Sequence, residues 1–247
     1  MKNELKRRLK AGERTLGLWI TLQDPIVTEL LSGAGFDWFV FDTEHSPMEI
    51  HQAQTLMQAM KGPTTPIIRV DWNDPVPIKR ALDVGAYGVV IPWVNNKEEA
   101  KKAVAACKYP PQGMRGCGPR RCSFFDREYL ETANPETLVV VQIETKEAVN
   151  NLEEIASVED IDVLFIGPTD LSTSYGYLGK PENLEVQKAI DRILAVAKAS
   201  GIAAGIYGGG GKSLLDRYNE GFQFIAVGGD LSLLRRGATE FLKPFKK

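Results

Sequence analysis

In the stretch "FVFDTEHS" (Phe39–Ser46) an apolar run ends abruptly in Asp42, Glu44 and His45. Two carboxylates and an imidazole at the end of a buried-looking run are a set for moving protons or holding a cation, and one of the chain's two histidines stands here. Similar polar residues close other apolar runs: Arg69 in "IIRV", Gln142 and Glu144 in "LVVVQIET", and Asp170 in "GPTD". A carboxylate such as Glu144, leaving an apolar run, is costly to bury without a partner. Asp170, one unit further along, would share its site. Two carboxylates that close repel unless a dication lies between them, and oxygen ligands suit Mg²⁺ or Mn²⁺ better than zinc. Arg69 adds a fixed positive charge. The set would hold a small anionic substrate on a metal ion.

These residues need elements that bring them to one place. Four segments, 30–42, 81–92, 155–167 and 218–229, share one grammar: a helix end, a turn at Gly or a polar residue, then a short continuous apolar run. Glycine suits the turn because it tolerates positive φ, and an uninterrupted apolar run reads as a strand buried on both faces. All such runs number eight, at about 16–21, 37–42, 66–70, 87–92, 138–144, 162–167, 202–206 and 223–228. Helices are expected between them at 25–33, from Pro47 toward Met60, and at 74–83, 97–107, 146–156, 184–199, 212–219 and 231–241. Asp74 followed by Pro75 reads as a cap and a first-turn proline, and Asp230 as another cap. Eight βα units in 247 residues predict a single-domain (β/α)8 TIM barrel over 1–247. A doubly wound sheet is the rival architecture. The stretch 109–137 reads as one long irregular loop, of the kind that is usually functional or disordered.

In a (β/α)8 barrel the C-terminal strand ends carry the active site. The eight runs deliver there Thr21 and Gln23; Asp42, Glu44 and His45; Arg69; Pro92 and Trp93; Gln142 and Glu144; Asp170; Tyr207; and Gly228, Gly229 and Asp230. Each has a plainer reading: an acid after a strand is often a helix cap, Arg69 alone could be a structural ion pair, and His45 a satisfied polar residue. Convergence on one rim is what favours chemistry. No lysine lies near the end of any run, so a Schiff-base mechanism lacks its nucleophile, and carbonyl chemistry would use a metal as electron sink. "GGGGKS" (208–213) fails as a phosphate loop because Ile206 holds the position where that motif needs glycine; its N–H groups could instead cradle a substrate oxygen. "GPRR" (118–121) is a solvated loop unless it meets a substrate carboxylate.

Composition excludes several classes. Thirty basic against 32 acidic residues leave a net charge of −2, with no basic field for nucleic acid. The charged N-terminus lacks the apolar core of a signal peptide, and no apolar run approaches the roughly 20 residues of a membrane span. The expectation is a cytoplasmic protein without nucleic-acid or membrane partners. Three cysteines, Cys107, Cys117 and Cys122, suit neither a disulfide framework nor a zinc set.

At "AGFDWFVFDTEHSP", "IIRVDWNDPVPIKRALDVGAYGVVIPWV", "YPPQGMRG", "VQIET" and "FIGPTDLS" the chain resembles the HpcH/HpaI family of metal-dependent aldolases, over nearly its whole length. The resemblance implies a barrel of the phosphoenolpyruvate/pyruvate-binding type. It also implies a homohexamer, a trimer of dimers, with an exchanged C-terminal helix. The implied reaction is cleavage of a 4-hydroxy-2-oxo acid to pyruvate and an aldehyde. Carried over, Glu144 and Asp170 are the ligands of a divalent ion (Mg²⁺, Mn²⁺ or Co²⁺). Backbone N–H groups from Gly167 through Thr169 and Asp170 hold the substrate carboxylate, and Arg69 neutralises the enolate oxygen. His45 is the acid/base, with Asp83 as a partner that can come from the adjacent subunit. Gln142 and Tyr207 lie against the substrate, and Asp42 and Glu44 support the site. Pro119 and the glycines at 208–211 depart from some aldolases of the family, which leaves the aldehyde open: a 2-keto-3-deoxy sugar acid and 4-hydroxy-2-oxoheptanedioate are both candidate substrates. Related barrels act on acyl-CoA thioesters of the malyl-CoA or citryl-CoA kind, oxaloacetate decarboxylation is a neighbouring activity, and a non-catalytic metabolite-binding barrel is the remaining alternative.

Overall fold

The apolar runs form eight parallel strands: β1 (Thr15–Ile20), β2 (Trp38–Asp42), β3 (Thr65–Arg69), β4 (Gly88–Ile91), β5 (Leu138–Gln142), β6 (Val163–Ile166), β7 (Ala203–Tyr207) and β8 (Phe224–Gly229). In the computed structural model, which describes residues 1–246, β1 pairs with both β2 and β8 and the sheet closes into a barrel in sequence order. The helices are α1 (Glu4–Lys10), α2 (Pro25–Ser32), α3 (Ile50–Ala59), α4 (Pro75–Asp83), α5 (Lys97–Cys107), α6 (Arg120–Phe125), α7 (Tyr129–Glu136), α8 (Lys146–Asn150), α9 (Leu152–Ala156), α10 (Pro168–Ser174), α11 (Leu184–Ala199), α12 (Leu214–Glu220) and α13 (Asp230–Leu242). Among the described residues no helix is long and apolar enough to cross a membrane.

The barrel is solid. Trp38 stacks flat on Phe224 with ring centroids 3.8 Å apart, and its indole N–H donates to Thr15 Oγ1 at 3.1 Å. Room for that indole comes from Gly17, where a Cβ would lie 1.9 Å from the Trp38 ring. A second apolar layer lies between sheet and helices, built from residues such as Leu18, Ile68, Ile78, Val141 and Ile190.

Expected and observed elements differ at a few places, each with a physical cause. The charged N-terminus forms α1, which plugs the N-terminal end of the barrel: Leu5 and Leu9 join the interior cluster. Its Lys6 is buried beside Asp162 at 2.9 Å and donates to the Thr137 carbonyl at 2.8 Å. The stretch 109–137 is not one irregular loop but carries α6 and α7 around the buried Arg115. Arg115 donates to Asp83 Oδ1 at 2.7 Å and to the Tyr129 hydroxyl at 3.1 Å. The helix expected over 146–156 is broken at Asn151 into α8 and α9; the Asn151 side chain donates instead to the Asn95 carbonyl. Asp230 is not the cap of α13, which is Gly229. Its buried carboxylate accepts from the Thr21 N–H, the Thr21 hydroxyl and the Leu22 N–H at 2.7–2.8 Å, tying the end of β1 to α13.

Candidate active site

Because all eight strands run parallel, their C-terminal ends share one rim, and the polar residues that close the apolar runs meet there. Asp42 and Arg69 are register partners across β2 and β3. Their side chains make a bidentate pair, Arg69 Nε to Asp42 Oδ1 at 2.9 Å and Nη2 to Oδ2 at 2.6 Å, the planar match that arginine makes best with a carboxylate. Asp42 Oδ1 also accepts the backbone N–H groups of Glu44 and His45. One carboxylate therefore aims the guanidinium and folds the turn that carries the next two candidates. Arg69 Nη1 lies 2.9 Å from Glu44 Oε2, an ion pair off the hydrogen-bonding line that leaves this oxygen without a hydrogen-bond partner. Burial opposes the charge on Arg69, but the bond and charge of Asp42, then the charges of Glu44 and Glu144, outweigh it and raise its pKa.

Glu144 follows β5 and is 2% exposed. Trp93 N–H donates to its Oε1 at 2.9 Å and the Gln142 amide to its Oε2. Burial pushes its pKa up to about 7, against the Trp93 bond and helped by the charges of Glu44 and Asp170. Glu44 is likewise pushed up to about 7, first by burial, with Arg69 opposing and Asp42, Asp170 and Asp71 adding to the rise. Asp170 is the third residue of α10; Gly167 stands at the cap position and Pro168 opens the helix.

The fit for a dication can be read at Gly167. A Cβ there would sit 3.0 Å from Glu144 Oε2 and 3.3 Å from Asp170 Oδ2, so glycine keeps open a space that both carboxylates border. Gln142 Oε1, buried nearby, has no hydrogen-bond partner. Among the described residues no three His, Cys, Asp or Glu side chains gather as a ready ligand set. Two carboxylates with the remaining positions left to substrate and water are how Mg²⁺-type ions are commonly held, so the residues fit such an ion and do not fit a closed structural site.

Beside this space lies a cavity of about 310 Å³, lined by His45, Arg69, Gln142, Thr169, Asp170 and Tyr207 among others. The His45 side chain is 63% exposed, with Nε2 3.8 Å from Glu44 Oε1. Burial raises the Tyr207 pKa. The cavity wall also includes Trp19 and Phe165, rings stacked at 5.3 Å, with the Arg69 guanidinium 5.4 Å from the Trp19 ring. Neither was singled out from sequence, since an aromatic in an apolar run looks like any core residue.

Three expectations fall elsewhere. Asp83 closes α4, at the opposite rim from His45, and is paired with Arg115; within one chain the two do not meet. "GPRR" lies on that same far rim, between α5 and β5, with Arg121 Nη1 donating to the Val84 carbonyl at 2.8 Å, so it cannot reach its own chain's cavity. The glycines at 208–211 do not line the cavity. Their conformation is left-handed at Gly208, Gly210 and Gly211, and the fully buried Arg217 grips the carbonyls of Gly209 and Gly210 at 2.9 and 3.2 Å. The loop lies against Pro168, at the start of α10.

Comparison with known proteins agrees with this arrangement. The family model described as HpcH/HpaI aldolase/citrate lyase matches residues 15–237. A 4-hydroxy-2-oxo-heptane-1,7-dioate aldolase of Salmonella typhimurium is 48% identical over 244 residues, 96% of this chain and 92% of that protein. An HpcH/HpaI aldolase/citrate lyase family protein from Burkholderia cenocepacia J2315 has a TM-score of 0.93 at 34% identity, covering 100% of both chains. An HpcH/HpaI aldolase from Desulfitobacterium hafniense DCB-2 has a TM-score of 0.89 at 27% identity, covering 98% of this chain and 96% of that one.

Proposed function

The chain belongs to the HpcH/HpaI aldolase/citrate lyase family, and on that premise we propose that it is a metal-dependent class II aldolase, a carbon–carbon lyase, that reversibly cleaves a 4-hydroxy-2-oxo acid to pyruvate and an aldehyde. The observation that carries the reading is the convergence of Glu144 and Asp170 on the bare face of Gly167, beside a buried arginine. The first substrate to test is 4-hydroxy-2-oxo-heptane-1,7-dioate, named for the Salmonella relative. Breaking its C3–C4 bond yields pyruvate from carbons 1–3 and a four-carbon semialdehyde acid from the rest. We take residues 1–247 as one catalytic unit working in the cytoplasm.

Glu144 and Asp170 would hold the divalent cation, which when bound supplies Lewis-acid stabilisation of negative charge on the 2-keto oxygen. The chain's own groups do the rest. Gln142 and the Trp93 N–H fix Glu144 by one donor on each carboxylate oxygen. Backbone N–H groups at Thr169 and Asp170 face the substrate carboxylate. Arg69, fixed by Asp42, presents positive charge where the C2 oxygen gains it, so it binds the transition state more tightly than the neutral ketone. His45 takes the proton from the 4-hydroxyl as the C3–C4 bond breaks and its electrons pass to C3 and the C2 oxygen, and return of a proton to C3 turns the enolate into pyruvate. A carboxylate on the other ring nitrogen would fix the tautomer. We assign that part to Asp83 of an adjacent subunit in a hexameric assembly. The uncovered apolar surface of α2 and α13 supports such an assembly: Ile26, Leu30 and Phe241 are 74%, 72% and 84% exposed.

The test is metal removal. Protein treated with chelator and desalted should lose pyruvate release from the substrate, and Mg²⁺, Mn²⁺ or Co²⁺ should restore it. Full activity in the stripped protein would overturn the proposal.

A further inference from the structure

Trp93 has φ at +56°, in the left-handed region where a bulky side chain with a Cβ is a genuine outlier. Such residues persist only where their surroundings over-determine them, and they gather at functional sites. Here three contacts hold the residue. Its N–H donates to Glu144 Oε1 at 2.9 Å, its carbonyl accepts from Asn95 Nδ2 at 3.2 Å, and its indole stacks on Trp72 with centroids 6.1 Å apart and planes 30° from parallel. The stack is not core: the two tryptophans are 44% and 54% exposed. The N–H is not spent on the sheet either, since it points at a carboxylate. Glu144 receives one donor on each oxygen, Trp93 on Oε1 and Gln142 on Oε2, so its orientation beside Gly167 is set from both sides. Following Trp93, the chain is anchored by Asn96, whose side chain caps α5. With that anchor in place, moving Trp93 to negative φ would turn the 92–93 peptide and take the N–H off Glu144.

We propose that Trp93 is a positioning residue: its left-handed backbone, braced by the stack on Trp72, aims the N–H that holds Glu144 in the orientation a divalent cation needs. This deepens the reading of Glu144 as a cation ligand and rests on it. Partners of metal ligands typically alter affinity by about 10- to 100-fold when lost, which sets the size of effect to look for.

The experiment is calorimetric titration of Mn²⁺ into the stripped full-length protein, with circular dichroism to confirm folding. Trp93→Gly and Trp93→Asn lose the brace on Trp72 but accept positive φ, and should bind Mn²⁺ more tightly than variants that resist it. Trp93→Val removes the indole and resists positive φ, and should weaken binding about tenfold or more. Trp93→Ala should fall between and serves as the comparison if the valine variant does not fold. Equal affinity in the folded Gly and Ala or Val variants, whether all retained or all lost, overturns the proposal: backbone conformation would then not be what holds Glu144. Glu144→Gln is the separate control. If it still binds Mn²⁺ as wild type does, the cation-ligand reading itself falls; if it loses binding while Val matches Gly, only the role of Trp93 falls.

Discussion

Glu44 and Glu144 each carry a carboxyl group that burial pushes up to about 7, where the unfolded chain would titrate near 4.5. Between those two values the folded protein binds more protons than the unfolded chain, so stability falls as pH rises through that window and levels off above about 7. Chelator-treated protein should therefore show a Tm that declines from about pH 5 to about pH 7. Glu144→Gln, which has no proton to lose there, should show a shallower decline. Adding Mn²⁺ near neutral pH should raise the Tm of wild type by mass action and leave the glutamine variant unmoved. Parallel slopes in the two proteins, read by differential scanning fluorimetry, would remove Glu144 as the source. Arg69 makes the converse point. Its burial is tolerated because two carboxylates, Asp42 and Glu44, lie within 2.9 Å of it; stripping a partner from such a buried pair leaves a charge uncompensated.

At the scale of elements, precision at the rim depends on packing further down the barrel. The flat stack of Trp38 on Phe224 fills the interior only because Gly17 has no side chain. Gly17→Ala would place a Cβ 1.9 Å from a ring that is itself wedged, and overpacking of this kind costs about 1–3 kcal/mol. Urea melts should show that loss, whereas Gly33→Ala, where the added atom would make an ordinary 3.7 Å contact, should be nearly neutral. A Gly17→Ala protein as stable as wild type would mean the barrel core yields more easily than its stacking indicates. The segment 109–137 is a second case. Buried Arg115 joins α4 to α7 through Asp83 and Tyr129, and α6 docks beside them through Cys122, whose thiol donates to the Leu82 carbonyl.

For the whole molecule, the question is what covers the apolar surface of α2 and α13. Large side chains as exposed as Ile26, Leu30 and Phe241, contiguous along a groove between two helices, are characteristic of an interface. Phe241→Asp combined with Leu30→Asp should shift the protein to a smaller species in multi-angle light scattering. Because Asp83 lies on the far rim of its own chain, that dissociation should also depress kcat. A dissociated form with full activity would show that His45 needs no partner from a neighbour. A wild-type monomer would undo the assembly altogether.

Much of this was legible in the sequence because its signals are local. An apolar run ending in a polar residue marks both a buried strand and its functional end, so all eight strands lie within about two residues of their expected limits, the ordinary scatter of such boundaries, and Asp42, Arg69, Gln142 and Glu144 were found at the rim. Helix α5 spans the expected 97–107, and α11 the expected 184–199. Other features had no local mark. A charged N-terminus reads as solvent-facing until it is seen to plug a barrel, and an arginine in a loop reads as solvated until tyrosines close around it. Whether an acid caps its own helix or staples another element, as Asp230 does, depends on where the chain returns. The order of residue types along the chain determined that a barrel would form and which side chains would ring its mouth, because hydrophobic patterning and turn chemistry act over a few residues. Tertiary structure alone decided which of those side chains touch, how Trp93 meets Glu144 and that Asp83 lies on the other rim, because those contacts depend on barrel closure, which joins residues far apart in the chain.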